Sequence, residues 1–343
     1  MRIGRLFLLV VWMVITVHSV QAGGTKVSKF AGEFLSIGVG GRALGLGGAF
    51  VALANDVTAG YWNPAGLGQV DYPEFTLMHD ERFGNLMNYD YGAVAIPVGS
   101  KGTLGFSLIR LGVDGIPDTR GALIDENGDG LLDDVDRLDY NRITFFNAAD
   151  WALFISYSKK SNDRFSLGAN VKLIRREIGE NSALGIGFDI AALYNPFSEF
   201  FVGANFQDVT TTLIAWDTGT NELISPTMKL GSAYFFQFLG GQFVPALDFD
   251  VRFEGRKYAS TANLGPVSMD LHIGMEYSFR DRVALRVGYS DIGSLTAGVG
   301  VRLPKLDIDY SFAKFDATDQ LGNMHRVSLK FTLRSDRFAR ATE

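Results

Sequence analysis

From residue 72 onward apolar and polar residues alternate with a period of two in segment after segment. This is the spacing of a half-buried strand, because neighbouring side chains point to opposite faces. The last segment shows it most plainly: Val327, Leu329, Phe331 and Leu333 share one face, and Arg326, Ser328, Lys330, Thr332 and Arg334 the other. The sequences FSLGANVKL (165–173) and LDIDYSF (306–312) divide in the same way. The pattern predicts strands near 72–80, 88–99, 102–112, 148–158, 163–176, 182–194, 199–208, 225–236, 241–254, 267–279, 282–290, 294–303, 305–314 and 323–334. That makes about 14, an even number, as in single-chain barrels of the bacterial outer membrane. Links of two or three residues at 161–163 and 280–281 read as periplasmic turns, and 113–147 and 209–224 as extracellular loops, which puts both termini on the periplasmic side. No repeat of propeller or solenoid length is visible.

Composition decides which face is apolar. Apolar residues make up 47% of the chain and aromatics 13%, with 40 glycines, yet beyond the first 22 residues no run is long enough for a transmembrane helix. A soluble sandwich or lipocalin-like barrel would also alternate, with its apolar face inward, but about 14 strands are many for one such domain. The fold class expected is therefore all-β, a transmembrane antiparallel barrel with its apolar face on lipid. Tyr89, Tyr91, Trp151, Tyr157, Tyr194, Tyr234, Tyr277, Tyr289 and Tyr310 are expected in interfacial girdles. Asp248, Asp250, Arg252, Glu254, Asp270, His272, Glu276, Arg286, Arg302, Asp307, Asp309, Arg326 and Lys330 would then point inward and brace the lumen by ion pairs.

The first residues give the address. Arg2 and Arg5 precede an apolar stretch from Leu6 to Val17, and Val20, Gln21 and Ala22 form a small-residue cleavage site, so 1–22 reads as a secretory signal. Removing two arginines moves the formal net charge from −6 to −8, which disfavours nucleic acid as a partner. Without cysteine there is neither a disulfide framework nor thiolate chemistry. The mature chain keeps only His79, His272 and His325, and has no Gly-x-Ser-x-Gly or His-Glu-x-x-His motif, so no enzyme is expected.

Within the longest loop, DENGDGLLDDVD (125–136) fits the spacing of a calcium loop. Asp125, Asn127, Asp129, Asp133 and Asp136 supply side-chain oxygens, Leu131 a carbonyl, and Gly130 the turn. Asp136 stands where glutamate is usual, and its shorter arm weakens the bidentate contact. The alternative is a solvated acidic loop.

The most unusual chemistry lies earlier. GVGGRA (38–43) matches a dinucleotide fingerprint, but antiparallel strands follow rather than a βαβ unit, so the match is discounted. The stretch GGRALGLGGAFVALANDVTAGYWNPAGL (40–67) instead resembles the N-terminal segment of the PorV/PorQ family, a branch of the FadL-like outer-membrane barrels. Gly41, Arg42, Gly45, Gly47, Gly48, Asn55, Asp56, Tyr61, Trp62, Asn63, Pro64 and Ala65 carry the resemblance. It implies a hatch (23–70) folded inside a barrel (71–343) of about 14 strands. It also implies a role as a non-enzymatic accessory of type IX protein secretion, with a secretion pore and exported cargo as partners. The alternative is a FadL-like diffusion channel for hydrophobic small molecules such as long-chain fatty acids. That branch uses a kinked third strand as a lateral exit, and Gly105, Gly112, Gly115 and Pro117 permit such a kink here.

Overall fold

A computed structural model describes residues 25–26, 31–84, 86–126, 128, 134, 136–256, 260–290, 294–314 and 323–341. The proposed signal at 1–22 lies outside the described residues. Among them no helix is long and apolar enough to cross a membrane.

Fourteen strands form the wall: β1 (Glu74–Arg82), β2 (Met87–Val98), β3 (Gly102–Asp118), β4 (Thr144–Asn162), β5 (Phe165–Ile178), β6 (Asn181–Phe197), β7 (Phe200–Gln207), β8 (Thr227–Tyr234), β9 (Gly241–Arg252), β10 (Val267–Phe279), β11 (Val283–Tyr289), β12 (Leu295–Arg302), β13 (Leu306–Lys314) and β14 (Asn323–Thr332). Each pairs antiparallel with the next, and β14 returns to β1 from Thr332↔Glu74 to His325↔Glu81, so the sheet closes on itself. Closure leaves no open edge in the wall. All fourteen segments picked out by the alternation are wall strands.

The alternation also sorts the two faces. In β1, Thr76, Met78 and Asp80 are buried while Phe75, Leu77 and His79 are exposed. Around the barrel the outward residues are largely leucine, isoleucine, valine and aromatics, and the buried ones include Ser156, Asn170, Asp189, Asp248 and Arg286. Polar in and apolar out is the pattern of a barrel in lipid.

Four expectations need correction. Tyr89 and Tyr91 belong to no girdle, since they are 0% and 2% exposed and face the lumen, where the Tyr91 hydroxyl lies 3.2 Å from Ser107 Oγ. The longest loop is shorter than 113–147, because β3 and β4 extend to Asp118 and from Thr144, and it contains a small hairpin of Leu123–Ile124 with Arg137–Leu138. The supposed loop 209–224 is a hairpin, Thr212–Trp216 with Asn221–Ile224, whose first strand continues the ladder of β6. Finally, Thr25–Lys26 pair in parallel with Asn221–Glu222, so this stretch sits at the long-loop end and not beside the C-terminus. Residues 31–70 then run the height of the lumen before β1 starts at the short-turn end.

Core and plug are one object. Val39, Leu46, Phe50, Leu53 and Leu67 of the lumenal segment are essentially fully buried against wall residues such as Tyr89, Ile109 and Phe154. Each large side chain buried this way contributes about 1.5–3 kcal/mol.

Candidate functional site

The lumenal segment strings turns between short helical pieces: a 3₁₀ helix Glu33–Ser36, helices α1 (Gly41–Gly45) and α2 (Ala59–Trp62), and a 3₁₀ helix Pro64–Gln69. Its register against the wall can be followed strand by strand. The Gly41 amide donates to Ser328 Oγ of β14 (3.0 Å), and Thr296 Oγ1 of β12 donates to the Gly45 carbonyl (3.1 Å). His272 Nδ1 of β10 is 2.8 Å from the Gly47 carbonyl, and Asp248 of β9 accepts from both the Phe50 and Val51 amides at 2.7 Å. Asn205 Nδ2 of β7 donates to the Trp62 carbonyl (3.0 Å), and Ser158 Oγ of β4 to that of Ala65 (3.0 Å). Contacts so widely distributed around the ring are possible only from inside it.

Close approach demands small wall residues. A Cβ on Gly288 of β11 would stand 2.2 Å from the Leu46 carbonyl carbon, and one on Gly168 of β5 would stand 2.2 Å from the Ala65 nitrogen. Gly47 and Gly48 take φ of 66° and 85°, the left-handed region that a side chain disfavours.

The Tyr-Trp-Asn-Pro-Ala step faces inward on the segment itself. Tyr61 Oη donates to the Leu35 carbonyl at 2.5 Å and accepts from the Gly38 amide at 3.1 Å. Trp62 Nε1 donates to the Val39 carbonyl (2.8 Å) and packs edge-on to Tyr61 with ring centres 5.0 Å apart. Asn63 donates to the Val51 carbonyl (2.9 Å) and accepts from the Ala65 amide (3.1 Å), capping the 3₁₀ helix that Pro64 begins. The motif thus pins the preceding 35–51 stretch. Burial pushes the Tyr61 hydroxyl pKa up, keeping it a neutral donor.

Two charge clusters hold the segment to the wall. Arg42 reaches Glu276 of β10 through Nε (2.9 Å) and Nη2 (3.0 Å) and Asn55 Oδ1 through Nη1 (2.8 Å). Glu276 also accepts from Arg286 Nε (2.6 Å), and Arg286 Nη1 from β11 donates to Asp309 of β13 (2.6 Å). Burial would lower the Arg42 pKa, but Glu276 overcomes it and the net shift is upward. Asp56 accepts from the Thr58 amide (2.9 Å) and lies 3.8 Å from Lys330, which is 3.1 Å from Asp307 and 3.8 Å from Glu74. Burial would raise the Asp56 pKa; Lys330 and Arg42 outweigh it, so its carboxyl is held below the usual range. Most of the inward acids and bases expected to brace the lumen are paired, whereas Asp248 accepts from hatch amides instead of a base.

Above the segment, toward the long-loop end, lies a cavity of about 920 Å³. Phe34, Ile37, Leu44, Trp62 and Leu111 supply apolar lining, and Arg82 and Arg326 of β1 and β14, with Lys229 and Asp250 of β8 and β9, supply polar lining. Asp80 accepts from Arg326 Nε at 2.8 Å and lies 3.4 Å from Arg82 Nε. At the other end Arg340 closes the joint between segment and wall. Its Nη2 donates to the Val70 carbonyl (2.6 Å) and Thr103 Oγ1 (2.7 Å), and its Nη1 to the Gly102 carbonyl (3.0 Å). Neither Arg340 nor the role of Asp248 was signalled by the sequence, since both depend on backbone groups far away in the chain.

The third strand is bulged, but only near its long-loop end. The β3–β4 ladder is unbroken from Gly102↔Lys159 to Val113↔Ala148 and shifts register between Val113 and Ile116, where Gly115 has φ 68°. Of the calcium-loop residues, Asp125 Oδ1 accepts from the Gly128 amide at 2.5 Å and Asp136 Oδ1 from the Glu126 amide at 2.9 Å. Asn127, Asp129, Leu131 and Asp133 lie outside the described residues. Among the described residues no group of three or more histidines and carboxylates is arranged to hold a metal.

Comparison with known proteins agrees on the fold. Residues 13–110 match the model of an uncharacterised protein family (UPF0164). No curated protein matches the chain. Among solved structures, the toluene transporter TbuX of Ralstonia pickettii superposes with TM-score 0.57 at 14% identity, over 87% of this chain and 99% of that one. A FadL homologue of Pseudomonas aeruginosa gives 0.55 at 15% identity, over 84% and 98%. The Pseudomonas putida toluene transporter TodX gives 0.54 at 14% identity, over 85% and 96%. At such identities the likeness is one of architecture: this chain folds as a FadL-like barrel of fourteen strands.

Proposed function

We propose that the chain is a non-enzymatic channel of the bacterial outer membrane, through which hydrophobic small molecules diffuse, with residues 31–70 acting as its hatch. The observation that carries this is the cavity of about 920 Å³ set between the hatch and the long-loop end, with Phe34, Ile37, Leu44, Trp62 and Leu111 in its lining. It is large enough for a small organic ligand, and it joins apolar surface to a few polar groups as such sites do. The FadL homologue and the two toluene transporters support the reading by their fold. Short turns would face the periplasm and long loops the exterior. The test is uptake into proteoliposomes of a monoaromatic such as toluene and of a long-chain fatty acid. Rates equal to those of empty vesicles for both would overturn the channel.

A second reading, an accessory of type IX-like secretion, is favoured by the unbroken β3–β4 ladder between Gly102 and Val113 and by the many hydrogen bonds that fix the hatch. On that reading the barrel stays shut and its outer loops handle exported cargo beside a secretion pore. Recovery of a pore component or cargo with the barrel from native membranes, together with no uptake, is the outcome expected there.

A further inference from the structure

The outer wall is unequally apolar around its circumference. On β6 the outward residues from Tyr194 to Leu184 include Ile190, Phe188 and Ile186. Ten positions at about 3.3 Å each, tilted by about 40°, nearly span the ~25 Å apolar band of a membrane barrel. On β1 the outward apolar residues are Phe75 and Leu77 alone, and His79 and Glu81 follow with side chains 53% and 59% exposed. His79 stands four positions beyond Phe75, just as Ile190 stands four positions from Tyr194, so one strand offers imidazole at the depth where the other offers isoleucine.

The polar row continues sideways. Asp90 of β2 is opposite His79, with Oδ1 2.7 Å from its Nδ1, and Arg110 of β3 is opposite Asp90 at 3.5 Å. On the other flank His325 of β14 is opposite Glu81, and its Nδ1 lies 2.7 Å from Tyr310 Oη of β13. Among the described residues the strands are also shorter on this side: β11 to β14 and β1 have 7 to 10 residues, against 14 to 19 in β3 to β6. Charged groups on the lipid face are tolerated near the interface and cost roughly 2–4 kcal/mol each at the midplane for a basic residue. A bilayer adapts to a short apolar band by thinning.

We propose that the outer face of β13, β14, β1 and β2, with Arg110 of β3 at its margin, is a docking surface for polar lipid headgroups, which sink to the level of His79, Asp90 and His325 and thin the leaflet there. Directly behind this low wall, Arg82, Phe83, Met87, Met324 and Arg326 line the cavity. A molecule dissolved in that leaflet therefore has a short path to the cavity past Arg82, Phe83 and Met87; this last step alone rests on the channel reading.

The chain has no cysteine, so single labels need no background substitutions. Nitroxide is attached to His79→Cys, His325→Cys, Ile186→Cys and Ile190→Cys of the full-length barrel in phosphatidylethanolamine and phosphatidylglycerol vesicles. Collision with a water-soluble nickel chelate is compared with collision with oxygen. The chelate should dominate at 79 and 325, and oxygen at 186 and 190. Oxygen dominance at 79 and 325 would overturn the proposal, and so would shielding from both probes, which would mean that protein covers the row. Two sites on different strands keep the test valid if one variant fails to fold. The label ratios do not depend on uptake, so failure of the channel and failure of the headgroup surface are separately visible.

Discussion

Arg42 of the hatch and Glu276 of the wall form a two-pronged pair, Nε to Oε2 at 2.9 Å and Nη2 to Oε1 at 3.0 Å, with side chains only 14% and 3% exposed. Glu276 is simultaneously held by Arg286, so the two sides of the pair are not equivalent. Arg42→Gln leaves Glu276 with a partner and should lower unfolding stability by about 1.5–3 kcal/mol, the range for charged hydrogen bonds. Glu276→Gln removes the carboxylate that Arg42 and Arg286 share, leaving Arg42 on Asn55 and Arg286 on Asp309, and should lower it by about 3–5 kcal/mol. Urea unfolding from vesicles, followed by tryptophan fluorescence, gives the order; a larger loss for Arg42→Gln would contradict it.

Asp56 has a depressed pKa in the folded chain, so its carboxylate adds stability at pH values above the ordinary 3.8, and this is lost as pH falls through the folded value. Asp56→Asn should therefore be less stable than the parent protein at neutral pH, and the gap should close on acidification below about pH 4. A gap that stays constant down to pH 2 would show that Asp56 is not charged in the hatch.

Arg340 ties the end of the hatch to the β2–β3 turn. Arg340→Ala should cost about 1.5–3 kcal/mol and speed amide exchange near Gly68 to Asp71 and Gly102, while leaving β9 and β10 protected. Arg340→Lys keeps the charge but loses the planar fork and should recover only part of the protection. Uniform exchange across the barrel in Arg340→Ala would refute the local clamp.

We also propose that residues 125–136 bind calcium. Titration calorimetry should show heat with the parent protein, and less with Asp125→Ala and Asp129→Ala; indistinguishable heats in all three would remove the site. Affinity in the range of about 10⁻⁴–10⁻³ M is expected of such isolated exterior loops.

Much of this architecture is legible in the chain because a wall strand must alternate along its whole length, as β14 does from Arg326 to Thr332. Alternation does not say which parity faces inward where both are apolar, and β2 is such a case: Ala93 and Ala95 alternate with Val94 and Ile96, so Tyr89 and Tyr91 could be placed on either face. The hairpin at 212–224 escaped notice because its strands have only five and four residues. The Tyr-Trp-Asn-Pro-Ala step announces an unusual segment, but only its Asn63–Ala65 cap is local enough to follow from spacing, because Tyr61 and Trp62 reach back to Leu35 and Val39. The partners of Arg42, Phe50 and Gly41 lie some two or three hundred positions away, in strands whose sequence shows only an inward polar residue.

The glycines on the wall's inner face carry a consequence for assembly. At Gly288 and Gly168 the strand backbone lies so close to the hatch backbone that even a methyl group would collide with it. A plug with such clearances cannot be slid into a finished barrel past the inward side chains of its neighbours. We infer that the β14–β1 seam closes around a hatch already in place, so that residues 31–70 serve as the mandrel on which the cylinder is wound.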